Sequence, residues 1–292
     1  MNNFLSQRRI VIPFVLMLIT FAACSDSGSD GPVSNDLASL PEDTGGTHTA
    51  KPRGTTTADF GYYVYLPGGY EKGTHNYPLL IFLHGQGERG NGTTDLDKVL
   101  YNGPPKLIKG KNWNPKFPMI VVSPQHTKME EGESTTNWGG GNPAHLKKFI
   151  EYLMDTYRVN ESRIYLTGLS HGGNGVFDYL TKHDPSYIAA AAPVACYGPG
   201  SGYSKAKNIP IWVFVGDKDN PNFDTSKRYV ENYNKQSPAP KHKAKLTVFA
   251  DAGHDVWTRT YSGSGIGTAD DDFDPFNISL YEWMLQYSLE EN

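Results

Sequence analysis

The segment Gly168-Leu169-Ser170-His171-Gly172-Gly173 constrains this chain more than any other stretch. It fits the pattern G-x-S-x-G. A short apolar run, Arg163-Ile164-Tyr165-Leu166-Thr167, precedes it, and a helix-compatible stretch follows. Strand, tight glycine turn and helix form the setting in which a serine is held at a turn tip, its hydroxyl exposed above a sheet. Glycine has no Cβ, so it allows the backbone that such a turn requires. A chain built around this segment therefore needs a sheet with helices packed on it.

The remaining sequence supplies those parts. From Phe60 onward, strand-like and helix-like pieces alternate. Phe60 to Leu66, Leu79 to Leu83, Met119 to Val122, Ala189 to Pro193, Ile211 to Val215 and Leu246 to Phe249 read as strands. Between Ala144 and Tyr157, apolar residues recur at three and four, which predicts an amphipathic helix. Val176 to Lys182, Thr225 to Lys235 and Ser279 to Leu289 read as further helices. Asp95 to Ile108 is helix-like but interrupted by Gly103-Pro104-Pro105. Such alternation predicts an α/β fold with a mostly parallel sheet and helices on both faces.

The N-terminus reads differently. Arg8-Arg9 precede an apolar stretch from Ile10 to Ala23 that is short for a membrane span and has the layout of a signal peptide. It ends in Phe21-Ala22-Ala23-Cys24, which resembles a bacterial lipobox with Cys24 as the lipidated residue. An ordinary secretory cleavage near Ala23 is the alternative. Ser25 to Gly31 is small, polar and acidic and cannot order itself by apolar burial. It resembles the export signal of some Bacteroidetes surface lipoproteins. The expected organisation is a signal peptide (1–23), a lipid-anchored tether (24–55) and a catalytic domain (56–292). The expected location is the cell envelope, anchored to the outer membrane; secreted or periplasmic is the alternative. With Cys24 lipidated, Cys196 is left alone and predicts no disulfide. The net charge of −4 and the lack of a basic tract argue against nucleic acid as a partner.

Serine needs a base to become a nucleophile, and that base needs an orienting carboxylate. In chain order these follow as Ser, Asp or Glu, His, each on a loop after a strand. Gly216-Asp217-Lys218-Asp219 follows one predicted strand, and Asp251-Ala252-Gly253-His254-Asp255 follows the next. His254 stands just past a late strand with a glycine before it and is the expected base. His75, His126, His145, His183 and His242 read as surface residues, and His48 falls in the tether. Asp217 and Asp219 both follow the strand; the Gly-x-x-Asp spacing resembles the acid loop of related esterases, which implies Asp219 as the acid and Asp217 as a turn residue. Asp255 adjoins the base and is poorly placed to orient it. Oxyanion donors are expected from the backbone N–H of His171 and from Gln86 in the glycine-rich loop His84 to Gly90.

The segments LHGQGERG, VVSPQH followed by NW, RIYLTGLSHGG, FVGDKD and AGHDVWTRTY resemble those of bacterial α/β-hydrolases of the phospholipase/carboxylesterase and feruloyl-esterase-like group. The resemblance runs from about Phe60 to the C-terminus. It implies hydrolysis of carboxylic esters by a Ser170–Asp219–His254 triad, with Gln86 and His171 as the oxyanion hole and no cofactor or metal. It also places Trp138 near an acyl pocket; Trp257, three residues past His254, is a second candidate lining residue. Gly263 to Asp272 looks like an insertion, and its Asp270-Asp271-Asp272 run reads as a solvated loop rather than a cation site. The substrate expected is a small or polysaccharide ester bearing feruloyl or acetyl groups. A serine peptidase related to prolyl oligopeptidases and a non-catalytic glycan-binding lipoprotein are the competing readings. Composition leaves the oligomeric state open.

Overall fold

Among the residues described by the computed structural model (35–113, 118–127, 138 and 144–290), eight strands form one sheet. In chain order they are β1 (Thr47–Lys51), β2 (Tyr62–Leu66), β3 (Tyr77–Leu83), β4 (Ile120–Pro124), β5 (Val159–Leu169), β6 (Ile188–Val194), β7 (Trp212–Gly216) and β8 (Lys245–Phe249). Across the sheet they run β1-β2-β4-β3-β5-β6-β7-β8. β2 pairs antiparallel with both β1 and β4, and every pair from β4 to β8 is parallel. The parallel strands β3 and β6 are buried at every position. Covered on both faces, they read in sequence as continuous apolar runs rather than alternating ones.

The helices are α1 (Asn35–Ala38), α2 (Gly103–Lys109), α3 (Ala144–Thr156), α4 (His171–Lys182), α5 (Asn222–Asn234), α6 (Trp257–Ser262) and α7 (Leu280–Leu285). On one face, Leu146, Phe149, Ile150 and Leu153 of α3 join Val176 and Leu180 of α4 and Tyr229 and Tyr233 of α5. Each fully buried aliphatic of that stripe contributes about 1.5–3 kcal/mol. On the other face, Ile108, Tyr261, Leu280 and Trp283 cover Phe82, Tyr165, Trp212 and Phe214. This is the expected mostly parallel sheet with helices on both faces.

Three expectations need correction. Residues 35–55 belong to the folded unit, not to a tether. β1 pairs along its length with β2, and Leu37 of α1 is buried. The Asp36 carboxylate meets the buried Arg163 guanidinium at 2.8 Å. The sequence hides this because β1 is one short, half-exposed edge strand, and Asp36 is recruited by a cation far along the chain. Gly103-Pro104-Pro105 does not break a helix but starts one. A 3₁₀ helix over Leu96–Tyr101 ends, and α2 begins with proline in its first turn, where no N–H is needed. α7 stops at Leu285, short of Leu289, and the carbonyls of Leu285 and Tyr287 accept from Arg163.

The expected signal peptide (1–23) and the lipidation residue Cys24 lie outside the described residues. Among the described residues, no helix is long and apolar enough to cross a membrane. The segment after Gly263 runs back along the outer strand of the sheet. Asp270 N–H donates to Val248 O, and Asp274 N–H donates to Leu246 O. It thereby pairs backbone groups of β8 that an open sheet edge would leave unpaired.

Candidate active site

Ser170 stands where β5 ends and α4 begins, at φ 52° and ψ −115°. A non-glycine residue pays about 1–3 kcal/mol for such a conformation, which the surroundings must enforce. They do so by close packing. Gly172 lies so near the Leu83 carbonyl that any Cβ there would overlap it, and a Cβ at Gly168 would strike Gly172. Ser170 N–H donates to Val194 O at 2.9 Å, fixing the turn to β6.

Two further loops open at the same end of the parallel strands. After β7, Asp219 N–H donates back to Gly216 O, which turns the Asp219 carboxylate inward, where it is buried. After β8, His254 reaches both partners. Its Nδ1 is 2.8 Å from Asp219 Oδ2, and its Nε2 is 2.9 Å from Ser170 Oγ. A carboxylate only accepts, so Nδ1 carries the proton and Nε2 is left to accept from the serine hydroxyl. The structure thus brings Ser170, Asp219 and His254 into one hydrogen-bonded line. The His254 side chain is 44% exposed, so the line opens to solvent.

Asp217 does different work. Its Oδ1 accepts from Ala252 N–H at 3.0 Å, tying the acid loop to the base loop. Asp255 caps the first turn of α6 through Thr258. Sequence reasoning missed Asn222, whose Nδ2 lies 3.1 Å from both Asp219 oxygens. It stands three residues beyond the acid, a spacing at which a side chain in a turn folds back.

The loop after β3 is held by buried polar groups. His84 Nδ1 donates to Gly85 O at 2.6 Å, and its Nε2 accepts from His126 N–H at 2.9 Å. Burial keeps this imidazole neutral, its pKa pushed down to about 3. Gln125, completely buried, donates from Nε2 to Glu88 O and Asp95 O and accepts from Gly92 N–H. Asn102 Nδ2 donates to the buried Glu88 carboxylate. At the head of this braced loop, the backbone N–H of Gln86 has no partner among the described residues, and neither has that of His171. The Gln86 side chain itself is exposed.

The His171 ring is buried, edge-on to His126 at 5.3 Å. Burial lowers its pKa to about 4, so it stays neutral. His126 is buried, not on the surface as its polar context suggested, and His48 lies in β1 rather than in a tether. Trp138 also differs from expectation. It is 2% exposed, wedged among Phe60, His84 and His126, with its ring filling the space left by Gly175. It therefore packs beneath the loops instead of lining an open pocket. Trp257 stands edge-on to His254 at 5.1 Å. Asp270 uses its carboxylate on Asp272 N–H, and among the described residues no group of three or more ligating side chains is arranged to hold a metal.

A family model described as putative esterase matches residues 54–256. The probable acetylxylan esterase A of Aspergillus clavatus is 23% identical over 202 residues, covering 68% of this chain and 62% of that protein. Acetylxylan esterase A of Emericella nidulans is 22% identical over 165 residues, or 54% of this chain and 49% of its own. The chain thus spans about half to under two thirds of these curated relatives. Among solved structures, a thermostable esterase superposes with a TM-score of 0.58 at 24% identity, over 83% of this chain and 63% of its own. The feruloyl esterase module from Clostridium thermocellum gives 0.55 at 13% identity, over 88% and 93%. At these identities the likenesses establish the fold, that of the α/β-hydrolases.

Proposed function

The chain belongs to the putative esterase family, and we propose that it hydrolyses carboxylic esters, acyl groups on polysaccharides foremost, through an acyl-enzyme on Ser170. The observation that carries this reading is the hydrogen-bonded line from Ser170 Oγ through His254 to Asp219. Ser170 Oγ attacks the ester carbonyl while its proton passes to His254 Nε2. Asp219 holds the imidazole in the needed tautomer and stabilises its charge. The unpaired N–H groups of Gln86 and His171 receive the oxyanion. His254 then protonates the leaving alcohol, water enters and gives a proton to the same imidazole as it attacks, and the imidazole returns that proton to Ser170 Oγ as the acyl group departs as a carboxylic acid.

The substrate class rests on the acetylxylan esterases among the relatives and on an open site. A polymer chain can approach His254 from solvent, as a closed cavity would not allow. The complete relay favours catalysis over a merely binding protein. Residues 1–23 as a signal, Cys24 as a lipid anchor and the short stretch before Asn35 as spacer complete the proposal, and put the enzyme at the cell envelope.

The test compares wild type with Ser170→Ala on acetylated xylan, methyl ferulate and p-nitrophenyl esters of rising chain length. Release of acetate from xylan by wild type alone is the expected result. Equal turnover by Ser170→Ala sinks the mechanism, and activity restricted to small esters sinks the polysaccharide assignment. Radiolabelled palmitate entering wild type but not Cys24→Ala tests the anchor.

A further inference from the structure

A second concavity, of about 860 Å³, opens on the β1–β2 side of the sheet. None of its lining residues belongs to the triad or to the oxyanion loop. Its floor is aromatic. Tyr63 and Tyr65 stand two apart on β2 and so face the same way. His48, the cross-strand partner of Tyr65, lies 4.9 Å from the Tyr63 ring. Trp113 forms a wall, 6.5 Å from Tyr65 and at a steep angle to it.

The polar groups of the cleft divide into used and unused. Tyr63 and Tyr65 donate their hydroxyls to Asp97 and Asp43, which fixes both rings. Trp113 Nε1–H is buried without a hydrogen-bond partner among the described residues, so this residue offers the cleft its ring and not its N–H. The His48 imidazole makes no hydrogen bond among the described residues, and burial keeps it neutral, with a pKa lowered to about 4. Asp97 Oδ2 accepts from nothing described. Lys109 and Lys111 are exposed at the rim with no ion-pair partner among the described residues.

These features select a ligand. Ring faces call for apolar C–H surface, whereas a neutral imidazole and a spare carboxylate oxygen call for neutral hydroxyls close together. A hydrocarbon would strand the polar groups, and a simple anion would meet Asp43 and Asp97. A sugar ring offers both surfaces at once. We propose that this cleft is a second glycan-binding site, holding a pyranose segment of the polysaccharide whose ester is cut at Ser170.

The placement suits that role, which rests on the polysaccharide-esterase reading above. β2 lies three strands from β5, about 14 Å across the sheet, and by the strand register Tyr65 stands level with Tyr165, five residues or about 17 Å short of Ser170. The 3₁₀ helix that carries Asp97 follows directly from the loop that Gln125 braces at Asp95. A polymer can occupy cleft and triad together; a short ester occupies the triad alone.

The experiment titrates full-length Ser170→Ala with xylohexaose, cellohexaose and mannohexaose while following backbone amide shifts by NMR. At least one sugar should move the amides of Thr47–Lys51 and Tyr62–Leu66 with saturation, and Trp113→Ala added to that background should weaken the binding about tenfold. Tyr63→Leu serves as a second variant, because Trp113 also packs on Tyr281. In catalytically intact protein, either substitution should lower the ratio of activity on acetylated xylan to activity on p-nitrophenyl acetate. If none of the sugars moves these amides, the cleft is no glycan site, even where acetylated xylan is hydrolysed. If a sugar binds there while acetylated xylan resists hydrolysis, the cleft assignment holds, and it is the substrate assignment that fails.

Discussion

Gln125 Nε2 donates to the carbonyl of Glu88 at 2.9 Å, joining the end of β4 to the loop whose head presents the Gln86 N–H. The same amide reaches Asp95 O and Gly92 N–H, so one side chain closes the loop at three points. An oxyanion donor works only if it is held in place before the reaction.

Gln125→Ala should therefore lower kcat on p-nitrophenyl acetate by about tenfold to a hundredfold, the scale of a misplaced catalytic group. Gln125→Glu should be as harmful, because a carboxylate would face the carbonyls of Glu88 and Asp95. Gln86→Ala should do far less, since its backbone N–H survives the change. Steady-state kinetics on the three variants separate these outcomes.

The two aspartates of the acid loop should part company. Asp219→Asn should cost about 10⁴ in kcat by reversing the hydrogen bond to His254 Nδ1. Asp217→Asn keeps an acceptor for Ala252 N–H but loses its charge, and should act mainly on stability, by about 1 kcal/mol. Kinetics and thermal melts on both variants decide; a larger kcat loss at Asp217 would reverse the assignment.

Stability should fall with acidity. In the fold, burial lowers His84 to about 3 and His171 to about 4. In the unfolded chain both take up protons near pH 6.5. Their contribution is therefore complete above about pH 6.5 and is lost as pH drops toward those lowered values. Tm should decline between pH 7 and 4, and His171→Gln should flatten that decline. An unchanged slope would mean that His171 protonates in the folded protein.

Trp138→Ala should destabilise the protein by about 3–5 kcal/mol, the cost of emptying a large aromatic site. Gly175→Ala should also destabilise it, because the new methyl group meets the Trp138 ring. The relative rates on acetyl, butyryl and longer esters should hold in Trp138→Phe. A shift in chain-length preference would return Trp138 to the acyl pocket.

Deleting residues 1–55 should lower Tm, because β1 is lost and Arg163 gives up its Asp36 partner. Melting curves of the truncated and full-length proteins test this.

Much of this protein was legible in one dimension. The strand–turn–helix around Ser170 is a local pattern, written within a dozen residues by glycines and apolar spacing. The order of serine, aspartate and histidine loops follows from the order of apolar runs, since parallel strands bring their following loops to one end. Those features needed only neighbours along the chain. Other decisions depended on contacts between residues that lie from 11 to 127 positions apart, about which local sequence is silent. Asp219 rather than Asp217 meets His254 because the loop folds back onto Gly216 and Ala252. Trp138 is core because Gly175 leaves room for its ring, and residues 35–55 are folded because β2 and Arg163 receive them. Residue type and spacing could name the candidates for the chemistry; only the packing of distant loops determined which side chains touch.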